Sequence, residues 1–258
     1  MTDTDSDLLV TSEGGVLTVT FNRPAQRNAM TFAMYEGLAQ ACERADTDDD
    51  VRLVVLRGAG GSAFVAGTDI SQFAGFDGPR GVAYEATIDA TIGRLLAVTV
   101  PVVAAIDGFC IGGGLAIAAA ADLRIARTDS RFGYPIARTL GNTLSAASFA
   151  LTLRHFGHAR TIDMIMTARL LDAAEAREAG FVTRVTDDVD RTTDEVVDKI
   201  LAHAPLTLWS AKEILRRIHA AALPIDASDV LDRVYGSDDF AAGAASFTNK
   251  TGPVWQGR

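Results

Sequence analysis

The chain has 258 residues, 48% of them hydrophobic, which is enough to bury one sizeable core. Its net charge of -9 argues against general affinity for nucleic acid or for anionic membranes, and no apolar run approaches the roughly 18 residues of a membrane span. Cys42 and Cys110 lie far apart in the chain, so we expect neither a disulfide framework nor a metal site, and we place the protein in the reducing cytoplasm.

The first elements are a strand and a helix. Val16 to Phe21 alternates between apolar and polar residues, which predicts a strand that ends at Asn22-Arg23-Pro24. From Thr31 to Arg44 the apolar spacing is helical, and Thr31 is expected to be the N-cap. Val51 to Leu56 is almost wholly apolar, as in a strand that is buried on both faces.

A glycine-rich stretch then separates a helix from the strand before it. Val65 to Arg80 contains several glycines and Pro79 and predicts a mobile loop, whereas Tyr84 to Val98 predicts a helix. Three short strands are expected after that helix, at Pro101 to Ile106, Leu123 to Ala126 and Arg131 to Pro135.

The pattern becomes helical after residue 140. It is interrupted by Phe181 to Val185, and three amphipathic helices, punctuated by Pro205 and Pro224, are expected over residues 190–247. Strands that alternate with helices and are followed by helices alone indicate an α/β core with an α-helical tail.

The most informative segment runs from Ile106 to Ile117. Its three consecutive glycines, which end at Gly114, let a backbone approach a ligand closely, and an N–H there can stabilise negative charge on a carbonyl oxygen. The predicted helix that follows, Leu115 to Ala121, carries no side chain able to move a proton. The segment therefore predicts a site that polarises a carbonyl and lacks an obvious acid or base of its own.

Several motifs together resemble those of the enoyl-CoA hydratase/isomerase (crotonase) superfamily, in its order and spacing. They are Asn22-Arg23-Pro24 with Asn28-Ala29, Phe64 to Ile70, Asp107-Gly108 with Gly112 to Gly114, Ala173 to Ala176, and Gly180-Phe181-Val182.

The resemblance implies an α/β fold of the crotonase type. That fold is a spiral of β-β-α units with a C-terminal helical region that trimerises, often as a dimer of trimers. We expect residues 1–195 to form the acyl-CoA-binding core and residues 196–258 the oligomerisation region. Acyl-CoA thioesters are the implied substrates, and no cofactor is expected because coenzyme A is part of the substrate.

By the same resemblance, the backbone N–H groups of Thr68 and Gly113 would hold the oxygen of a thioester enolate. Ala66 lies two residues before the first donor and Asp69 directly follows it, and both are expected near the substrate. Asp69 could equally have the structural role of fixing that turn through backbone hydrogen bonds. The two glutamates of the family's hydratases correspond to Ala116 and Ile136, which cannot act as acid or base. Ordinary water addition is therefore not expected.

Two carboxylates are the candidate replacements for those glutamates. Glu85 and Asp89 are four residues apart and share one helix face, which Ile92 extends, and a large residue at the position of Ile92 lines the acyl pocket in relatives. Either carboxylate could serve as the base if that face points inward, and otherwise the face is simply solvated.

Four further residues are candidate ligand contacts. Arg138 could hold an acidic acyl group or form a salt bridge, and Asn142 could line the pocket or cap the helix that begins near Leu144. Arg27 and Lys250 could reach phosphates of coenzyme A or could be ordinary exposed cations.

Three functional hypotheses follow. The first is an acyl-CoA enzyme that stabilises an enolate without ordinary hydration. The second is an acyl-CoA-binding protein without catalysis. The third is an isomerase- or hydrolase-type member of the family that uses a different base. A Glu85 or Asp89 side chain directed into the acyl pocket would count against the second hypothesis.

Overall fold

The computed structural model describes residues 6–220 and 228–249. Its repeating unit is two strands followed by a helix, and successive units stack beside one another. The strands of the described residues are β1 (Leu8–Glu13), β2 (Val16–Phe21), β3 (Leu53–Gly58), β4 (Ala63–Ala66), β5 (Val102–Ile106), β6 (Phe109–Ile111), β7 (Leu123–Arg127), β8 (Arg131–Gly133), β9 (Leu171–Asp172) and β10 (Arg184–Thr186).

The helices lie between these strands and, after β10, follow one another directly. In the described ranges they are α1 (Phe32–Thr47), α2 (Gly78–Ala97), α3 (Gly113–Ala120), α4 (Ile136–Thr139), α5 (Ala146–Met166), α6 (Ala173–Glu178), α7 (Val189–Leu201), α8 (Pro205–Ala220), α9 (Ser228–Tyr235) and α10 (Asp238–Asn249).

The three strand pairs β3–β4, β5–β6 and β7–β8 each contribute one strand to each of two sheets, whereas β1 and β2 both belong to the larger sheet. The larger sheet has the order β1-β2-β3-β5-β7-β10, and the smaller has the order β4-β6-β8-β9. The pairs β3–β5 and β5–β7 are parallel in the first sheet, as are β4–β6 and β6–β8 in the second. Because β3, β5 and β7 each lead into a strand of the smaller sheet, the turns after those smaller strands stack at one end of the molecule.

The main core lies between the sheets and helices α1 to α3. Strand β5 is buried along its whole length, as expected for a central strand covered on both faces. Helix α3 is almost entirely buried, and its alanines allow the close packing that a helix without a polar face requires. The predicted α/β spiral and its helical C-terminal part agree with this architecture.

Several sequence predictions need correction in detail. Helix α2 begins at Gly78, well inside the predicted loop, because Asp77 accepts a hydrogen bond from the Arg80 N–H and Pro79 occupies the first turn. A short 3₁₀ helix, Ile70–Phe73, occupies another part of that loop. Strand β1 was not predicted, because its half-exposed pattern carries little periodicity.

The C-terminal part contains four described helices over residues 189–249 instead of the predicted three. Pro224 lies outside the described residues. The predicted boundary between residues 195 and 196 falls within α7, and the division into two units stays a prediction. In the described ranges, no helix combines the length and the apolar character needed to cross a membrane.

Asn28 fixes the loop between β2 and α1. The residue is fully buried and has a φ of 57°, in the left-handed region that asparagine tolerates better than most residues. Its Nδ2 donates to the Ala59 and Ala63 carbonyls at 3.0 and 2.7 Å, and its Oδ1 accepts from the Arg23 N–H. One side chain thus ties this loop to the turn between β3 and β4.

We predict that Asn28→Ala lowers the free energy of unfolding by about 2–4 kcal/mol, since it removes the donor to two carbonyls and leaves alanine in a left-handed conformation. Denaturant unfolding measures the effect. Gln26→Ala is the control, because Gln26 is exposed in the same loop and its replacement should change the stability little. Equal losses from the two variants would contradict the role of Asn28.

Candidate functional site

A pocket of about 140 Å³ lies where β4, α2, α3 and α4 meet. Most of its lining is apolar, and a few polar groups converge on it, which is the usual composition of a small-molecule site. The apolar side chains that line it include those of Ile70, Phe73, Ile88, Ile111, Ala116, Ile136, Leu140 and Leu144.

Gly112 and Gly113, at the junction of β6 and α3, form one wall of the pocket. Gly112 has a φ of 55° and a ψ of −128°, which a residue with a side chain rarely adopts. A Cβ on Gly113 would lie 2.2 Å from the Tyr35 hydroxyl, and one on Gly114 would lie 2.2 Å from the Val65 carbonyl oxygen. Since Gly113 is the first residue of α3, its N–H has no acceptor within the helix.

Thr68 lies opposite this turn. Met30 pairs with it as in a parallel ladder: the Met30 N–H donates to the Gly67 carbonyl and the Asp69 N–H donates to the Met30 carbonyl, each at 2.8 Å. Because neighbouring peptide groups of an extended strand point in opposite directions, the Thr68 N–H faces away from Met30. Both Thr68 and Gly113 line the pocket.

A chain of hydroxyl groups holds Thr68. Its Oγ1 lies 2.8 Å from the Tyr35 hydroxyl and 2.7 Å from the Tyr84 hydroxyl. Burial raises the pKa of Tyr35 to about 12 and also raises the pKa of Tyr84, so both phenols stay protonated at neutral pH. The side chain of Thr68 is therefore anchored from α1 and from α2.

Glu85 brings a carboxyl group into the pocket lining. It is 4% exposed, its Oε1 accepts from the Tyr235 hydroxyl, and its Oε2 accepts from the Ser145 N–H at 3.0 Å. Burial raises the pKa of Glu85 to about 7, although both hydrogen bonds act in the opposite direction. The group can therefore take up or release a proton near neutral pH.

The predicted site residues fall into two sets. The first set lines the pocket and consists of Ala66, Thr68, Glu85, Gly113, Ala116, Ile136 and Asn142. The second set is not part of the lining and includes Asp69, Asp89, Ile92 and Arg138.

The residues of the second set have other contacts. Asp69 pairs with Arg23 at 2.8 Å and accepts from the Ser71 N–H at 3.1 Å, which fixes the turn after Thr68. Asp89 accepts from the Ser145 hydroxyl at 2.6 Å, and Ile92 is buried in the main core. Arg138 is exposed at the end of α4.

Three further predictions concern Arg27, Lys250 and Asn142. The exposed Arg27 guanidinium lies 5.3 Å from the centroid of the Phe109 ring, and Lys250 lies outside the described residues. Asn142 does not cap α5, because Ser145 occupies the N-cap and accepts from the Ser148 N–H. The Nδ2 of Asn142 instead donates to the Tyr235 hydroxyl at 3.3 Å.

The sequence patterns do not single out three tyrosines that contact Thr68 and Glu85. Tyr35 and Tyr84 reach Thr68 from two helices, and Tyr235 reaches Glu85 from α9. Tyrosines in helical patterns are usually core residues, so no local signal distinguished these three. A glycine at position 81, in the first turn of α2, was the one indirect signal of a close neighbour.

Comparison with known proteins shows the family of the chain. The family model described as enoyl-CoA hydratase/isomerase matches residues 11–258. The chain belongs to the enoyl-CoA hydratase/isomerase family. This confirms the family resemblance of the five sequence motifs.

Relatives in this family match the chain over nearly its full length. An enoyl-CoA hydratase of Mycobacterium tuberculosis is 34% identical over 98% of this chain and 97% of its own. Carnitinyl-CoA dehydratase of Proteus mirabilis is 30% identical over 97% of this chain and 98% of its own. The crystal structure of an enoyl-CoA hydratase/carnithine racemase from Magnetospirillum magneticum superposes with a TM-score of 0.80 at 32% identity, covering 98% and 96% of the two chains.

We predict that Gly113→Ala destabilises the protein by about 1–3 kcal/mol, because its Cβ would lie 2.2 Å from the Tyr35 hydroxyl. The same Cβ would lie 3.5 Å from Tyr35 Cζ, an ordinary contact distance, so the hydroxyl alone causes the overlap. Tyr35→Phe in the Gly113→Ala background should therefore recover part of the loss. Denaturant unfolding of the wild type, both single variants and the double variant measures this coupling, and strictly additive losses would contradict it.

Proposed function

We propose that this member of the enoyl-CoA hydratase/isomerase family is an acyl-CoA enzyme that forms a thioester enolate. The N–H groups of Thr68 and Gly113 donate to the thioester oxygen, and Glu85 moves the proton. The observation that supports this proposal best is the burial of the Glu85 carboxyl in the lining of the same pocket as Thr68 and Gly113.

The two N–H donors stabilise the charge that develops on the thioester oxygen. Donors that are fixed before the reaction need no reorganisation, and one such donor contributes about 3 kcal/mol in other enzymes. The hydroxyl chain from Tyr35 through Thr68 to Tyr84 restricts the first donor, and the helical start at Gly113 restricts the second. The oxygen would thus meet two rigid backbone dipoles.

Glu85 then acts on the carbon next to the thioester carbonyl. As a carboxylate it takes one proton from that carbon, which leaves a neutral carboxyl group and the enolate. Return of the proton to the same carbon gives exchange with solvent, and return to a more distant carbon of an unsaturated acyl chain moves the double bond. A pKa of about 7 suits both directions of transfer.

Water addition is not the favoured reaction. Ala116 and Ile136, at the positions that the family resemblance gives to the hydratase glutamates, present only apolar surface to the pocket. Asp89 is outside the lining, so it does not supply a second carboxylate there. A single base supports proton transfer within the acyl group better than activation of water.

A non-catalytic acyl-CoA-binding protein is the second candidate. The apolar lining at Ala116 and Ile136 favours it. The position of Glu85 argues against it, because a binding pocket for an acyl chain gains nothing from a buried carboxyl group that is costly to desolvate.

We predict that the wild-type protein exchanges deuterium from heavy water into the position next to the thioester of a bound acyl-CoA. Glu85→Gln should slow this exchange by about 10²–10⁴-fold, the usual contribution of a general base, without weakening thioester binding by a similar factor. Mass spectrometry of a panel of saturated and unsaturated acyl-CoAs measures exchange and hydration, and calorimetry measures binding. Asp89→Asn is the matched control and should retain most of the exchange.

The pH dependence of deuterium exchange follows from the raised pKa of Glu85. Since the raised pKa keeps the carboxyl group of Glu85 protonated below about pH 7, exchange should fall about tenfold per pH unit below that value and level off above it.

Unaltered exchange in Glu85→Gln would remove Glu85 as the base. Tight binding without exchange or hydration of any acyl-CoA would establish the binding protein instead, and rapid hydration would contradict the assignment of proton transfer.

We also propose that the protein assembles as a homotrimer or a dimer of trimers in the cytoplasm. The assembly is supported by the large apolar side chains that α8 exposes, since exposed apolar clusters mark contact surfaces. They are Leu206, Trp209, Ile214, Leu215 and Ile218.

We predict that sedimentation equilibrium gives three or six times the chain mass of 27.3 kDa. Replacing Ile214 and Ile218, which are 58% and 61% exposed, by aspartate should shift the distribution towards the monomer, because charges would enter the apolar contact. A monomeric wild-type protein would contradict the proposed assembly.

A further inference from the structure

The Glu85 carboxyl group is held by two elements that are distant in the chain. Its Oε2 accepts from the Ser145 N–H at the start of α5, and its Oε1 accepts from the hydroxyl of Tyr235, 150 residues further along the chain. Tyr235 is 1% exposed, and its hydroxyl also accepts from Asn142 Nδ2 at 3.3 Å. Because Asn142 donates to the phenol oxygen, the phenol proton is free to point at Glu85.

A glycine on α2 makes this contact possible. Gly81 lies one helical turn before Glu85 and therefore on the same face of α2. A Cβ at Gly81 would lie 2.0 Å from Cγ of Tyr235 and 2.5 Å from its Cδ1. The missing side chain thus leaves a notch that the tyrosine ring fills.

A second glycine repeats this arrangement one turn further from the site. A Cβ at Gly78 would lie 2.7 Å from the Asp232 carbonyl oxygen. Gly78 and Gly81 are three residues apart on α2, and Asp232 and Tyr235 are three residues apart on α9. The two helices are therefore in contact along paired positions, which holds the phenol in one place relative to Glu85.

We propose that Tyr235 is a positioning residue for Glu85, so that helix α9 and the Gly81 notch both contribute to the site. The phenol hydroxyl orients the carboxyl group towards the pocket and stabilises its ionised form, without touching the substrate. This inference rests on the proposed function of Glu85 as the base.

The other ionisable groups around Glu85 do not stabilise its ionised form as the Tyr235 hydroxyl does. Asp89 lies on the same helix and raises the pKa of Glu85 by its negative charge. Four phenols also interact electrostatically with Glu85: Tyr84 precedes it on α2, and Tyr35, Tyr134 and Tyr235 come from other parts of the chain.

In the described part of the chain, no cation stabilises the Glu85 carboxylate in place of the Tyr235 hydroxyl. Within the described residues, neither arginine, lysine nor histidine contributes to the pKa of Glu85, and the two groups that lower it are the Tyr235 hydroxyl and the Ser145 N–H. Loss of the hydroxyl therefore leaves one stabilising hydrogen bond.

Carboxyl-carbon NMR of protein labelled with ¹³C-glutamate tests the proposal without any activity. The Glu85 signal is assigned by its absence in Glu85→Gln, and its titration midpoint is compared between wild type and Tyr235→Phe. We predict that the midpoint moves to higher pH by about one unit, which corresponds to the loss of one hydrogen bond to a charged group. Deuterium exchange at pH 7 should fall by about fivefold in the same variant, since the ionised fraction of Glu85 falls from about one half to about one tenth, and it should recover at higher pH.

Two further variants separate positioning from folding. Gly81→Ala keeps the hydroxyl but displaces the ring, so it should move the midpoint in the same direction, and adding it to Tyr235→Phe should give no further shift. Leu231→Ala removes a buried side chain of α9 from the cluster around Tyr235, and it should lower the thermal stability while leaving the midpoint unchanged.

The proposal is overturned if Tyr235→Phe titrates like the wild type, or if Leu231→Ala shifts the midpoint as far as Tyr235→Phe does. Its failure is distinguishable from failure of the proposed function. A wild type that exchanges no deuterium removes Glu85 as the base, whereas an unchanged NMR midpoint in Tyr235→Phe removes only the role of Tyr235.

Discussion

The close contact between the Gly112–Gly114 turn and strand β4 is the constraint on which the site depends. The Val65 carbonyl oxygen and the Tyr35 hydroxyl each occupy space that a Cβ of Gly114 or Gly113 would fill. This contact sets the start of α3 beside Thr68, and the parallel pairing of β4 with β6 holds both in register. Thr68 and Gly113, from different turns of the spiral, therefore line one pocket.

Glu85 illustrates the balance of forces in that pocket. Removing a carboxylate from water is costly, and a raise of its pKa to about 7 corresponds to roughly 3 kcal/mol in favour of the protonated form. Its two hydrogen bonds, each worth about 1.5–3 kcal/mol when the acceptor is charged, keep this penalty from growing further. A group that is buried but doubly hydrogen-bonded can change its protonation near neutral pH, whereas an exposed glutamate stays ionised.

The apolar neighbours of Glu85 contribute to the same balance. Ala116 and Ile136 expel water from the lining and so raise the cost of charge within it, which strengthens any fixed dipole directed at a substrate oxygen. The two positions that the family resemblance gives to the hydratase glutamates thus surround the Glu85 carboxyl group with an apolar lining. The C-terminal helices take part directly, because α9 supplies the phenol that contacts Glu85.

The sequence by itself determined the family, the spiral of strands and helices, and the places of Thr68 and Gly113 at the site. Those features depend on short segments: the alternating pattern of β2, the apolar run of β5, the Thr31 cap of α1 and the three glycines at the start of α3. It also identified Glu85 and Asp89 as candidates but could not separate them, since both lie on one helix face. Only the tertiary structure placed Glu85 in the pocket lining and Asp89 outside it, and brought Tyr235 against Glu85 through the Gly81 notch. The reason is physical: which helix face is covered, and by which side chain, depends on packing between residues 150 positions apart, and no local pattern records such a contact.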